Sequence, residues 1–188
     1  MRARFIIISF LIFTLFLLGC SKAQTSKAVS EDPFERVYNL DPQRKFIHTQ
    51  IKDVQFDDLV TGKTIHLDQL SDKVVIIESF SVGCPACAEG IKLYNYIYDK
   101  YGDNIQIVYV NINPSDTKED ILNIKQKYNG RDWIWVKYSP ALQDFSSSLK
   151  IYGNEITYIV KNNTIEYADS YSVPLSRIEN ALKEILAT

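Results

Sequence analysis

Cys84-Pro85-Ala86-Cys87 sets two thiols three residues apart in a chain that holds only three cysteines and two histidines. The pair lies between a β-branched run and a segment of helical spacing, so Cys84 is expected at a helix N-cap and Pro85 at the first helical position. A missing N–H there costs nothing, because that donor has no intrahelical partner. Unpaired amide donors and the positive end of the helix dipole stabilise a thiolate on Cys84, lowering its pKa below the free-thiol value of about 8.5. Cys87, one turn later, falls within the separation of roughly 4.4–6.8 Å between Cα atoms that a disulfide needs, and it can attack a mixed disulfide formed on Cys84. Such a pair is a two-electron switch that works without histidine.

Other chemistries fit less well. A zinc site would need a second cysteine pair, and His48 and His66 do not stand at ligand spacing. A purely structural disulfide would close too short a loop to gain much chain entropy. Ser81-Val82-Gly83-Cys84 contains a peroxidatic-type Ser-x-x-Cys, but Ile77 stands where the accompanying proline belongs. No cofactor is implied and no metal site is assigned.

The elements that must position the thiols can be read from periodicity. Residues 73–80 form a near-continuous β-branched run, as in a strand buried on both faces. Residues 85–101 show helical spacing through Ile91, Tyr94, Ile97, Tyr98 and Tyr101 and end at Gly102, a natural C-cap. A second buried strand is expected over 105–112, and an amphipathic helix over 115–128, opened by a Ser or Asp cap. The resulting βαβα order favours a parallel sheet with helices on its faces. Upstream, 56–59 and 64–67 flank Thr61-Gly62-Lys63 as a short hairpin. Downstream, 133–138 reads as a strand, 140–149 as a short helix, 156–160 and 164–167 as a hairpin, and 175–186 as a closing helix.

The 188 residues suit one domain with a leader, and 46% hydrophobic with 23% charged residues is ordinary globular usage. A formal charge of −2 leaves no basic excess for nucleic acid, which is excluded as a partner. Residues 1–4 carry two arginines, 5–18 are apolar apart from Ser9 and Thr14, and the run ends at Gly19-Cys20. This is a signal-peptide layout, too short for a permanent spanning helix. Leu17-Leu18-Gly19-Cys20 resembles a prokaryotic lipobox, which implies that residues 1–19 are removed and that Cys20 becomes a lipid anchor. Residues 20–45, polar and without apolar period, read as a flexible tether to the membrane, leaving 46–188 as the folded domain outside the cytoplasm.

Taken together, the entry hairpin, the strand before the thiols, Cys84-Pro85-Ala86-Cys87 and the late strand–hairpin–helix resemble the thioredoxin superfamily. Specifically, they resemble its membrane-tethered TlpA/ResA-like thiol-disulfide oxidoreductases, over roughly residues 56–186. The resemblance implies an α/β thioredoxin-like three-layer fold: a central mixed β-sheet flanked by helices, with an N-terminal β-hairpin extension. It also implies disulfide exchange with protein thiols or disulfides, an extracytoplasmic or membrane redox partner, Cys84 as attacking thiol and Cys87 as resolving thiol. Glu78 lies where such proteins carry a buried carboxylate that moves a proton to or from the resolving cysteine, and burial in an apolar strand would raise its pKa. Glu89 stands one residue away from the family's helix-borne acid, at which Gly90 aligns.

Two departures bear on a substrate-facing loop made of Gly83, Pro85, Glu155 and Ile156. Gly83 replaces the usual aromatic residue. Glu155 replaces the usual cis-proline, so a trans peptide or remodelled loop is expected, because a non-proline cis bond costs about 3–4 kcal/mol. A Glu155 carboxylate facing the cysteines would oppose a thiolate on Cys84. The rival reading, from another class, is a redox-inactive or metal-holding binding module tethered to the membrane.

Overall fold

The computed structural model describes residues 41–151, 153–170 and 174–188. The leader, Cys20 and the tether up to residue 40 lie outside the described residues. Among the described residues, seven strands and four α-helices follow in the order β1 (Gln55–Asp57), β2 (Thr64–His66), β3 (Val74–Phe80), α1 (Pro85–Tyr101), β4 (Ile105–Asn111), α2 (Lys118–Lys127), β5 (Ile134–Val136), α3 (Pro140–Ser148), β6 (Thr157–Lys161), β7 (Thr164–Asp169) and α4 (Leu175–Leu186).

The five-stranded sheet runs β5-β4-β3-β6-β7. β3, β4 and β5 are parallel, and β6 and β7 add antiparallel to β3. All seven residues of β3 are buried, as its β-branched run predicts for a strand with a neighbour on each side and a layer on each face. The successive crossovers β3–α1–β4 and β4–α2–β5 step in one direction across the sheet. Right-handed connections therefore place α1 and α2 on the same face.

Residues alternate between the two cores. Val74, Ile76 and Phe80 pack with Ile91 and Ile97 of α1, Ile121 of α2 and Leu182 of α4. Val75 and Ile77 face the other way, against Leu142 and Phe145 of α3 and against Phe56 and Leu67 of the hairpin region. The first core holds an aromatic block in which Tyr109 stacks on Phe80 at 4.2 Å and on Trp133 at 5.8 Å between ring centroids.

The small β1–β2 hairpin forms where expected, with Gly62 at φ 69° in its turn. Asp58 fastens it to the edge of the large sheet: its carboxylate accepts from the backbone N–H of Thr61 and of Trp135, both at 3.1 Å, while Leu59 N–H donates to Trp135 O at 2.8 Å. At the opposite edge, residues 48–51 run beside β7, with His48 N–H to Ile165 O and Ile165 N–H to Thr49 O. The β6–β7 turn uses Asn162 and Asn163 at φ 50° and 58°, as a two-residue hairpin of matching twist requires.

Two boundaries differ from the sequence reading. Residues 41–45, assigned to the tether, belong to the folded body. Pro42–Phe46 is a 3₁₀ turn capped by Asp41, and Asp41 is buried because it accepts from the Ser170 backbone N–H and hydroxyl at 2.8 and 2.7 Å. Helix α2 is capped not by Ser115 or Asp116 but by Thr117, which forms a capping box with Asp120. Asp116 is engaged elsewhere, as described below.

Candidate functional site

Helix α1 begins where β3 has ended and the chain turns through 81–84. Cys84 is the N-cap residue and Pro85 occupies the first turn. The two sulfurs are joined as a disulfide with a Cα separation of 5.3 Å. Cys84 Sγ accepts the Cys87 backbone N–H at 3.1 Å. That donor is already aimed at Cys84, and together with the dipole end of a 17-residue helix it favours negative charge on that sulfur when the S–S bond opens. The two sulfurs differ in access: Cys84 is half-buried, whereas Cys87 is 1% exposed and packs in the first core. A molecule at the surface can therefore touch the Cys84 sulfur, while Cys87 is sealed from solvent.

The turn that presents Cys84 is held from β4. Asp116, in the loop after that strand, accepts from the Val82 N–H at 2.8 Å and from Asn111 Nδ2 and Asn113 Nδ2, both at 2.7 Å. This is the work that removes Asp116 from capping α2. Tyr109 of β4 lies beneath the thiols and donates its hydroxyl to Cys87 O at 2.7 Å.

Glu78 lies on β3 and is buried on the face that carries α1. Tyr94 of α1 donates to its Oε2 at 2.9 Å, the Thr157 hydroxyl of β6 donates to the same oxygen, and those two hydroxyls lie 3.2 Å apart. Burial pushes the Glu78 carboxyl from 4.5 up to about 8. The Thr157 and Tyr94 hydrogen bonds oppose the rise, and the charges of Glu155 and Asp169 reinforce it. Burial, and then the Glu78 charge, likewise raise the phenols of Tyr94 and Tyr109 well above their usual range. Glu78 thus holds its proton at neutral pH on the layer that contains Cys87.

No cis peptide occurs among the described residues, and Glu155 sits at φ 60° in the left-handed region. The loop it belongs to is remodelled around Ser79 of β3. Glu155 N–H donates to Ser79 O at 2.8 Å, Ile156 N–H to Ser79 Oγ at 2.9 Å, Ser79 N–H to Ile156 O at 3.0 Å, and Ser79 Oγ to Gly153 O at 2.8 Å. The Glu155 charge acts on Glu78 and Tyr109. Gly83 and Pro85 are exposed beside Cys84. Ile156 is not: it is 5% exposed and belongs to the second core, because it enters β6 with its side chain toward α3 and the hairpin. Glu89 is exposed on α1 and pairs with Lys92 at 2.9 Å.

Ser79, Tyr94, Thr157 and Asp116 were not picked out as site residues from the sequence. Only Asp116 carried a local signal, since Asn111, Asn113 and Asp116 cluster just after a buried strand. Among the described residues, no three His, Cys, Asp or Glu side chains gather as a metal site, and no helix is long and apolar enough to cross a membrane.

Comparison with solved structures gives the fold. The thioredoxin domain of a thiol-disulfide oxidoreductase from Bacteroides vulgatus matches 74% of this chain and 97% of its own, with a TM-score of 0.65 and 16% identity. A thiol:disulfide interchange protein from Bacteroides sp. matches 76% of this chain and 91% of its own (TM-score 0.64, 16% identity). A thioredoxin-like protein from Aeropyrum pernix matches 70% and 89% (TM-score 0.60, 18% identity). The chain therefore has a thioredoxin-like α/β fold, with a central mixed sheet between helical layers. No protein-family model matches the chain, and no curated protein sequence matches it.

Proposed function

We propose that this chain is an extracytoplasmic thiol-disulfide oxidoreductase that exchanges its Cys84–Cys87 disulfide with the thiols of partner proteins. The observation that carries the reading is the asymmetry of the pair: two bonded sulfurs at a helix N-terminus, the first half-exposed and the second sealed. Starting from the disulfide, a partner thiolate attacks Cys84 Sγ. An S–S bond forms between partner and Cys84, the Cys84–Cys87 bond breaks, and Cys87 leaves as a thiolate. Glu78, protonated at neutral pH, is the proton source for that thiolate. A second partner thiol then displaces Cys84, so two electrons pass from the partner dithiol to this protein. The reverse sequence runs through the same mixed disulfide.

Equilibration of the purified domain with dithiothreitol buffers tests the reading. A reversible two-electron couple is expected, lost in Cys84→Ser, while Cys87→Ser accumulates mixed disulfides with added thiol proteins. A pair that never cycles ends the proposal. The leader and Cys20 support anchoring by lipid on the outer side of a membrane. Incorporation of labelled palmitate, abolished in Cys20→Ala, is the corresponding result, and an unlabelled wild-type chain refutes it.

A further inference from the structure

Beside Cys84 the surface opens into a groove of about 380 Å³ between the turn that carries the thiols and helix α2. Its apolar lining comes from Val82 and Ala88 on one side and Ile124 on the other, and Cys84 itself forms part of the wall. The groove is open at Gly83: a Cβ added there would meet no atom within 4 Å, so nothing occupies the space that a side chain would take. Its two charged groups both lie on α2, seven residues apart. Asp120 is held by the Thr117 hydroxyl in the capping box. Lys127 rests its amine 5.3 Å over the Tyr128 ring and makes no ion pair among the described residues, whereas its neighbour Lys125 is paired with Asp132 at 3.0 Å.

We infer that this groove is the recognition surface for the partner: an extended segment carrying the reacting cysteine, an apolar side chain beside it, and an acidic residue that meets Lys127. The inference rests on the proposed exchange chemistry. Three observations favour such an occupant. Cys84 lines the groove, so whatever lies in it bears on the reactive sulfur. The lining next to the sulfur is apolar, and it gains from covering by an apolar side chain. The positive charge of Lys127, without an ion pair among the described residues, and the negative charge of Asp120 stand about two helical turns apart, which sets the polarity of an incoming chain. Cys84 and Lys127 line the same groove of about 380 Å³, so the acid of the partner segment lies within a few residues of its cysteine.

The test uses the reduced protein and two peptides, Glu-Leu-Cys-Leu-Glu and Lys-Ser-Cys-Ser-Lys, each as a mixed disulfide with thionitrobenzoate. In each reaction the Cys84 thiolate attacks the peptide sulfur, forms the protein–peptide disulfide, and releases thionitrobenzoate with the electron pair of the broken bond. Rates are divided by that of the glutathione mixed disulfide on the same variant, which removes general changes in thiol reactivity. The acidic apolar peptide is expected to react about tenfold faster than the basic one, from one partly buried apolar contact and one exposed ion pair. Lys127→Glu should reduce that ratio at least about threefold, the size of an exposed charge interaction. Gly83→Trp, which fills the groove from a position with open space, should bring the ratio close to one. Equal peptide rates in the wild type, or ratios unmoved in both variants, overturn the groove while leaving the oxidoreductase reading intact. A preference that vanishes as the protein is concentrated, with a dimer in sedimentation, assigns the groove to a second copy and also overturns the inference. No release from any probe, glutathione included, defeats the exchange reading itself.

Discussion

Replacing Glu78 by Gln keeps the shape of the side chain and an oxygen to accept from Tyr94 and Thr157, but removes the proton that titrates. In the unfolded chain this carboxyl ionises near 4.5, and in the folded protein burial holds the proton to about 8. Between those values the folded state binds more protons than the unfolded state, so stability falls as pH rises and levels off above about 8. The gap corresponds to on the order of 5 kcal/mol at about 1.36 kcal/mol per pH unit, a large share of the roughly 5–15 kcal/mol that holds a domain folded. With a urea slope of about 2–3 kcal/mol per molar for a domain this size, the midpoints of wild type and Glu78→Gln should diverge by about 2 M between pH 5 and pH 9. The variant should be the more resistant at the alkaline end. The assay is urea unfolding of the disulfide form, followed by tryptophan fluorescence, at half-unit pH steps. Parallel midpoint curves for the two proteins across that range would show that Glu78 ionises as it does in water and would refute the argument from burial.

Three other substitutions probe the supports of the site. Asp116→Ala removes the acceptor of three hydrogen bonds, so a loss of about 2 kcal/mol is expected, with faster amide exchange at Val82; an unchanged Val82 amide means the turn is held by other contacts. Ser79→Ala leaves the Ile156 N–H and the Gly153 carbonyl without their side-chain partner and should lower the unfolding free energy by about 1–3 kcal/mol in urea. Gly130→Ala would set a Cβ 2.5 Å from the ring of Trp135, which is fully buried among Phe80, Tyr109 and Trp133 and cannot yield cheaply. A loss of about 1–3 kcal/mol is expected there, and an unchanged unfolding midpoint would mean that the aromatic block is looser than its packing.

Features with a local cause were legible in the sequence. Helix α1 runs over the residues its spacing marks, Pro85–Tyr101, because proline and a capping group open it and Gly102, at φ 52°, ends it. Strand β3 is the central strand because only burial on both faces suits Val-Val-Ile-Ile in succession. Features fixed by distant partners were not legible. Thr117 beats Ser115 and Asp116 as the cap of α2 because Asp120 reciprocates its hydrogen bond, while Asp116 is drawn to the Val82 amide, 34 positions earlier in the chain. Ile156 carries no local mark of its orientation; its backbone is set by Ser79, 77 positions away, and its side chain follows into the second core. The groove beside Cys84 joins residues 82–88 to 120–128, so no single stretch of sequence displays it.

The clasping of both margins of the sheet has a consequence for how this molecule keeps company. Residues 48–51 accompany the start of β7, and Asp58 and Leu59 sit against β5, so each outer strand has part of its outer row of amides and carbonyls already engaged. Growth by strand addition, an ordinary route from native β-protein to fibre, is hindered where those groups are taken. On the proposed exchange reading, such a molecule meets its partners through sulfur and side chains rather than through its strands, and lets them go.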